Sequence, residues 1–262
     1  MVPFINSLQG RTYIIFGGSR GIGRAIAQQL LAADANVVVT GRSEESLREL
    51  EAVNDAPTGR LTCLTVDSVD EKAIHQPLEV ALEKHDRIHG MVTTVGGHVG
   101  DDRNFPDHEY EVFLKGLELN LGSAFLSARA MSQYFVDNNY PGSIVTIGSG
   151  DSRFAGRRLT YTTAKHGLLG LTKGLALKLA PFGIRVNCLC PGWTDTSLND
   201  WTQISAAWGM SIEEAQQFAC SQSLQNRILD ADEVASMALF LLSDASSGMT
   251  GQTVSVDGGY KV

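Results

Sequence analysis

Short apolar runs alternate along the chain with segments whose apolar residues recur every three or four positions. The runs predict strands at 12–16, 36–40, 61–66, 88–95, 143–147, 184–189 and 253–256. Between them, Ile22, Ile26 and Leu30 form one buried helical stripe, and Ser43 is placed to cap a helix over 43–53. Further helices are predicted at about 70–85, 107–119, 121–138, 161–179 and 231–242. In the helix at 161–179, Ala164, Leu168, Leu171, Leu175 and Leu179 hold helical spacing over nearly the whole length. The wholly apolar Val37-Val38-Val39 and the repeating strand–helix order argue for an α/β fold, its parallel sheet covered by helices on both faces. Its crossovers should be right-handed. No linker or repeat interrupts the pattern, so a single domain over 1–262 is expected.

Composition narrows the function. With 43% apolar and 19% charged residues, the chain is neither disordered nor collagenous. Its net charge of −8 disfavours nucleic acid and anionic membrane as partners. No apolar run approaches the ~20 residues of a membrane span. The opening MVPFINSLQGR lacks a charged-then-apolar signal pattern, so a soluble, cytoplasmic protein is expected. Cys63 and Cys220 stand alone. Cys188 and Cys190, two apart on a strand, are expected to point to opposite sheet faces. No cysteine or histidine grouping has zinc spacing, so buried free thiols and no metal are expected.

Chemistry first appears between the first strand and helix, in Phe16-Gly17-Gly18-Ser19-Arg20-Gly21-Ile22-Gly23. Gly17 permits a tight turn, Gly21 a close backbone approach to a pyrophosphate, and Gly23 close packing of the helix. The helix N-terminus adds free N–H groups and partial positive charge, so the loop suits a dinucleotide. The second strand ends Thr40-Gly41-Arg42-Ser43. A carboxylate there would select NAD(H), whereas Arg42, with Arg20 in reach, suits a 2′-phosphate. NADP(H) is therefore favoured over NAD(H).

Tyr161 and Lys165 lie one helical turn apart. An ammonium beside a phenol, with a cationic nicotinamide near, would lower the phenol from its usual ~10 and fit it for acid–base work. Ser149, just past a strand, could bond a reacting carbonyl oxygen. Asn120 lies where two helical stretches meet.

Together these motifs resemble the short-chain dehydrogenase/reductase family in its single-domain form, from about Gly10 to Gly259. The resemblance adds Asp67, Gly96, Pro191-Gly192 and the closing Val256-Asp257-Gly258-Gly259. It implies a Rossmann-like, doubly wound seven-stranded parallel sheet of order 3-2-1-4-5-6-7. It further implies that Tyr161 is the proton donor or acceptor and that Lys165 holds the nicotinamide ribose. Ser149 would orient the substrate oxygen, and Asn120 would position a water in a proton relay. Ser19, Ile22, Ser43, Asp67, Ser68 and Gly96 join the glycine loop and arginines in the implied cofactor set. Asn187 and Pro191-Gly192 resemble the turn that seats the nicotinamide, with Thr194 and Thr196 beside it. A homodimer or homotetramer through the helices at 121–138 and 161–179 is implied as well.

Departures from the family pattern are specific. Its usual Asn-Asn-Ala-Gly reads Thr93-Thr94-Val95-Gly96 here, so the threonines must brace the sheet differently or less well. Phe16 replaces a threonine, and the Ser149–Tyr161 interval is one residue short. Asp137-Asn138-Asn139 and Phe182 stand where related ketoacyl reductases carry basic residues for an acyl carrier protein. Trp193, Trp201 and Trp208, with Met210 and Phe218, fall in a substrate lid expected at about 193–226 and suggest an apolar or aromatic pocket. Arg153, Arg157 and Arg158 are expected on its opposite wall, with His98 nearby. The resemblance implies a small-molecule carbonyl or alcohol substrate. A non-catalytic NADP(H) sensor or scaffold is the competing reading; enoyl reduction is disfavoured, because that branch resembles a wider Tyr-to-Lys spacing.

Overall fold

The computed structural model describes residues 5–53, 59–100 and 105–261; residues 1–4 of the opening segment lie outside them. Seven strands form one parallel sheet: β1 Thr12–Phe16, β2 Asn36–Gly41, β3 Leu61–Thr65, β4 Gly90–Thr93, β5 Gly142–Ile147, β6 Ile184–Pro191 and β7 Thr253–Val256. Their order is β3-β2-β1-β4-β5-β6-β7, as the resemblance implied. The intervening helices are α1 Gly21–Ala32, α2 Glu44–Ala52, α3 Gln76–Lys84, α4 Tyr110–Leu117, α5 Ser123–Asp137, α6 Leu159–Leu179, α7 Trp201–Trp208, α8 Ile212–Ser221 and α9 Ala231–Leu242.

The period of two along each strand divides the core. Tyr13, Ile15, Val37, Val39, Val92, Val145 and Leu189 pack with α1, α2 and α9 on one face. Their neighbours Ile14, Phe16, Val38, Met91, Ile144 and Val186 pack with α3, α5 and α6 on the other. That parity corrects the expectation for the two cysteines. Cys188 and Cys190 share a face, with sulfurs 3.9 Å apart, because side chains two apart on a strand point the same way.

Element boundaries depart from the apolar pattern where local hydrogen bonds outweigh periodicity. The helix expected from about residue 70 starts later. Asp70 Oδ1 accepts from the N–H groups of Lys72 and Ala73, a 3₁₀ turn follows, and α3 opens on Pro77 in its first turn. The two stretches around Asn120 are joined by a π-helical turn at Glu118–Gly122.

Between β1 and β4, whose following chains leave the sheet in opposite directions, lies the crevice where such sheets bind ligands. The N–H groups of Gly17 and Gly18 both reach Thr40 O, folding the glycine loop over the end of β2. Thr94 braces it from β4, its hydroxyl donating to Gly17 O at 2.7 Å. Thr93 does no such work: its hydroxyl is buried without a hydrogen-bond partner. An unpaired buried hydroxyl costs free energy that an isosteric methyl does not. Thr93→Val should therefore stabilise the protein by about 1 kcal/mol, read as a higher denaturant midpoint with unchanged slope; a lower midpoint would show a hidden partner.

Candidate active site

A cavity of about 1210 Å³ opens at the carboxyl ends of the strands, and every residue of the expected cofactor set lines it. The dinucleotide fit can be tested at α1. Its cap residue Arg20 is extended and makes no side-chain cap, and the first turn holds no acid. The helix therefore presents unsatisfied N–H groups and uncompensated positive charge. Gly17, at φ 85°, makes the turn, and a Cβ on Gly23 would sit 2.5 Å from Gly17 O. These features fit a pyrophosphate. Arg20 and Arg42 are exposed at this end and pair with no carboxylate among the described residues, while Asp67 is exposed on the lining nearby.

At the other end, β5 delivers Ser149 to the floor of the cleft. Gly148 is required before it, because a Cβ there would meet the sulfurs of Cys190 and Cys188 at 2.8 and 3.0 Å. The Ser149 N–H donates to Ser152 Oγ at 2.9 Å and its hydroxyl accepts from Asp151 N, which fixes the rotamer. Tyr161, in the first turn of α6, lies close enough to Ser149 for the serine hydroxyl to favour its phenolate. One turn on, Lys165 is 3% exposed, its Nζ donating to Ile147 O at 2.8 Å and lying 5.5 Å from the Tyr161 ring centroid. Asn120 is buried and does not line the cavity. Its amide accepts from Gly97 N and donates to Gly97 O and Gly116 O, tying the loop after β4 to the π-turn. A Cβ on Gly96 would touch both Asn120 Oδ1 and Lys165 Nζ, so the two converge on one glycine.

The electrostatics correct one expectation. Burial pushes Tyr161 up to about 12, against the lowering effect of the Ser149 hydrogen bond. Burial likewise brings Lys165 down to about 8. In the protein alone desolvation of the phenolate sets the direction, and Lys165 is not among the groups that oppose it.

The expected substrate wall is partly redrawn. Trp193, Trp208 and Phe218 line the cavity, with Trp208 edge-on to both other rings at 5.9 and 5.4 Å between centroids. Trp201 lies behind Trp193, and Met210 lines a separate shallow cavity. Arg157 and Arg158 line the cleft, but Arg153 is drawn off to Ser255 Oγ at 2.8 Å. Asn187 is fully buried and holds Met249 O and Gln252 N rather than a ligand. His98 stands edge-on to Tyr161 at 4.8 Å. Sequence reasoning missed Asp151, Tyr260 and Lys261 on the same lining. Only the position of Asp151, two residues past Ser149, could have signalled it. Among the described residues no histidine, cysteine and acid cluster could hold a metal, and no helix could cross a membrane.

A family model described as enoyl-(acyl carrier protein) reductase matches residues 17–261. The chain is 31% identical to the 3-oxoacyl-[acyl-carrier-protein] reductase FabG of Aquifex aeolicus, over 96% of this chain and 98% of that one. It is 30% identical to the oxidoreductase YxjF of Bacillus subtilis, over 94% and 96%. Among solved structures, a single-substitution variant of actinorhodin polyketide ketoreductase with NADPH superposes with a TM-score of 0.89 at 27% identity, covering 96% of this chain and 97% of that one.

A buried ammonium held by a single carbonyl is a cost, and its sign can be worked out. Lys165 is protonated in both folded and unfolded chains below about pH 8, so the full penalty is present there; it fades as pH rises from about 8 towards 10.5. The shift corresponds to roughly 3 kcal/mol, of which leaving Ile147 O unpaired would return about 1 kcal/mol. Lys165→Met should thus raise the melting temperature of the unliganded protein by about 4–8 °C at pH 7, with the gain shrinking above pH 8. A lower melting temperature at pH 7 would mean that the ammonium is stabilised by more than this carbonyl.

Proposed function

The chain belongs to the short-chain dehydrogenase/reductase family, and on that premise we propose that it is an NADP(H)-dependent carbonyl reductase, or an alcohol dehydrogenase in the reverse direction. The convergence of Ser149, Tyr161 and Lys165 at one end of a dinucleotide-sized cleft carries this reading. A bound nicotinamide supplies the hydride on reduction and takes it on oxidation. Ser149 donates a hydrogen bond to the substrate oxygen, where negative charge develops, and Tyr161 gives that oxygen its proton. Lys165 holds the nicotinamide ribose and favours the phenolate left behind. Asn120 fixes the loop and π-turn beside Lys165, where a water completes the proton path.

The one-turn spacing of Tyr161 and Lys165 favours a carbonyl over an enoyl double bond. A non-catalytic NADP(H) sensor would need neither Ser149 nor Tyr161. Arg42 and Arg20 take the 2′-phosphate, and Thr194 and Thr196 seat the carboxamide end. The segment at about 193–226 acts as the substrate lid of a single domain. Exposed Tyr110, Phe125 and Leu177 on α4, α5 and α6 support assembly as a homodimer or homotetramer.

Tyr161→Phe should abolish turnover while leaving NADPH affinity within about two-fold, since the phenol serves the proton and not the coenzyme. Retained turnover refutes the role. Arg42→Ala should weaken NADPH at least ten-fold and NADH little, consistent with loss of a charge-assisted phosphate contact. Equal losses for both coenzymes would overturn the preference.

A further inference from the structure

The substrate end of the cleft carries opposite charge to the protein around it. The chain has a net charge of −8. Yet at this end Arg157, Arg158 and Lys261 line the cavity against one acid, Asp151. Asp151 is already answered: Lys261 and Arg158 both act on it, opposing the upward push of burial on its carboxyl. That leaves Arg157. Its guanidinium lies 4.9 Å over the Trp208 ring and 5.8 Å from that of Phe218, and no carboxylate among the described residues pairs with it. Two aromatic faces hold a cation in place without neutralising it. A second source of positive potential adjoins it. Helix α6 starts beside Arg158 with no side-chain cap and no acid in its first turn, so its positive end is uncompensated.

Resting on the reductase reading above, we infer that the substrate is an anionic ketone, with a flat apolar body against Trp193, Trp208 and Phe218 and a carboxylate on Arg157. The rings take the body by burial and stacking. The guanidinium takes the carboxylate through its donor fork. The placement also orients the molecule: with its anion held at Arg157, its carbonyl is left to meet Ser149 and Tyr161 on the lining of the same cavity. Arg153, tied to Ser255, takes no part.

The test uses 4-acetylbenzoate and 4-acetylbenzamide, ketones of equal size that differ in charge. Calorimetric titration of the full chain should give at least ten-fold tighter binding of the carboxylate, and raising the salt should narrow the gap. In Arg157→Gln the ratio should fall to near one, in Arg157→Lys it should be partly kept, and in Arg153→Gln it should persist. The inference is overturned if the wild type binds the amide as tightly, binds neither compound, or keeps its preference in Arg157→Gln. Turnover with NADPH is read separately. A carboxylate preference without reduction of either ketone would sustain the anion site and defeat the reductase reading; reduction of both at equal efficiency, with equal affinity, would do the reverse.

Discussion

The geometry of the cleft depends on one buried charge. Lys165 is enclosed by α6 and the end of β5, with the carbonyl of Ile147 as its hydrogen-bond acceptor. Nothing in the folding of an isolated domain rewards that arrangement, since taking an ammonium from water costs more than one carbonyl returns. The cost is accepted where α6 enters its second turn, one turn past Tyr161, and where Cys188 and Cys190 on β6 lie close enough to support the charge. The elevated Tyr161 and depressed Lys165 are two views of the same dry environment. Each group is held toward its neutral form, so new charge or hydrogen bonds brought into the cleft would shift both.

That poise needs a rigid frame, which the sheet supplies from its carboxyl edge. Phe16, Gly41, Thr93 and Ile147 end four neighbouring strands, and the chain leaving each of them meets the cleft. Thr94 joins two of these exits by bonding the glycine loop, and Asn120 ties the β4 exit on to the π-turn. The glycine-loop end of the cleft and the end holding Ser149, Tyr161 and Lys165 are therefore coupled through the loop after β4. Side-chain hydrogen bonds to backbone groups carry that coupling.

Much of this is legible in the sequence, for identifiable reasons. Helix α9 and strand β7 are placed to the residue because their apolar periods coincide with sharp boundaries, Asp230 and Glu233 making a capping box for the helix. The glycine loop and the Tyr161–Lys165 pair are legible because both are local: their chemistry is set by residues within one turn. Helices α7 and α8 escape detection although Ser211 and Glu214 spell a capping box, because their apolar positions are too few to set a period. Asp151 and Lys261 are illegible for a different reason. They meet across 110 positions of chain, and only the fold brings them together. The face shared by Cys188 and Cys190 is legible from the two-residue repeat alone, and the expectation of opposite faces misreads that repeat.

The lid segment carries the remaining logic. It is fastened by hydrogen bonds at both ends. Thr194 bridges to Leu229, while Leu224 and Gln225 donate to Gly259 and Gly258 and Lys261 donates back to Gln222. The glycines at 258 and 259 hold φ of 64° and 80°, the backbone shape this fastening needs. Tyr260, gripped between them and the lid, packs its ring where a Cβ on Gly150 would stand, beside Ser149. The clasp therefore borders the cleft at Ser149, whereas α7 and α8 border it at Trp208 and Phe218. Side chains such as Trp208 and Phe218 can change without disturbing Ser149, Tyr161 or Lys165. The wall built by α7 and α8 and the wall at Ser149 are thus set by different parts of the chain, with the closing Gly258-Gly259-Tyr260 as the joint between them.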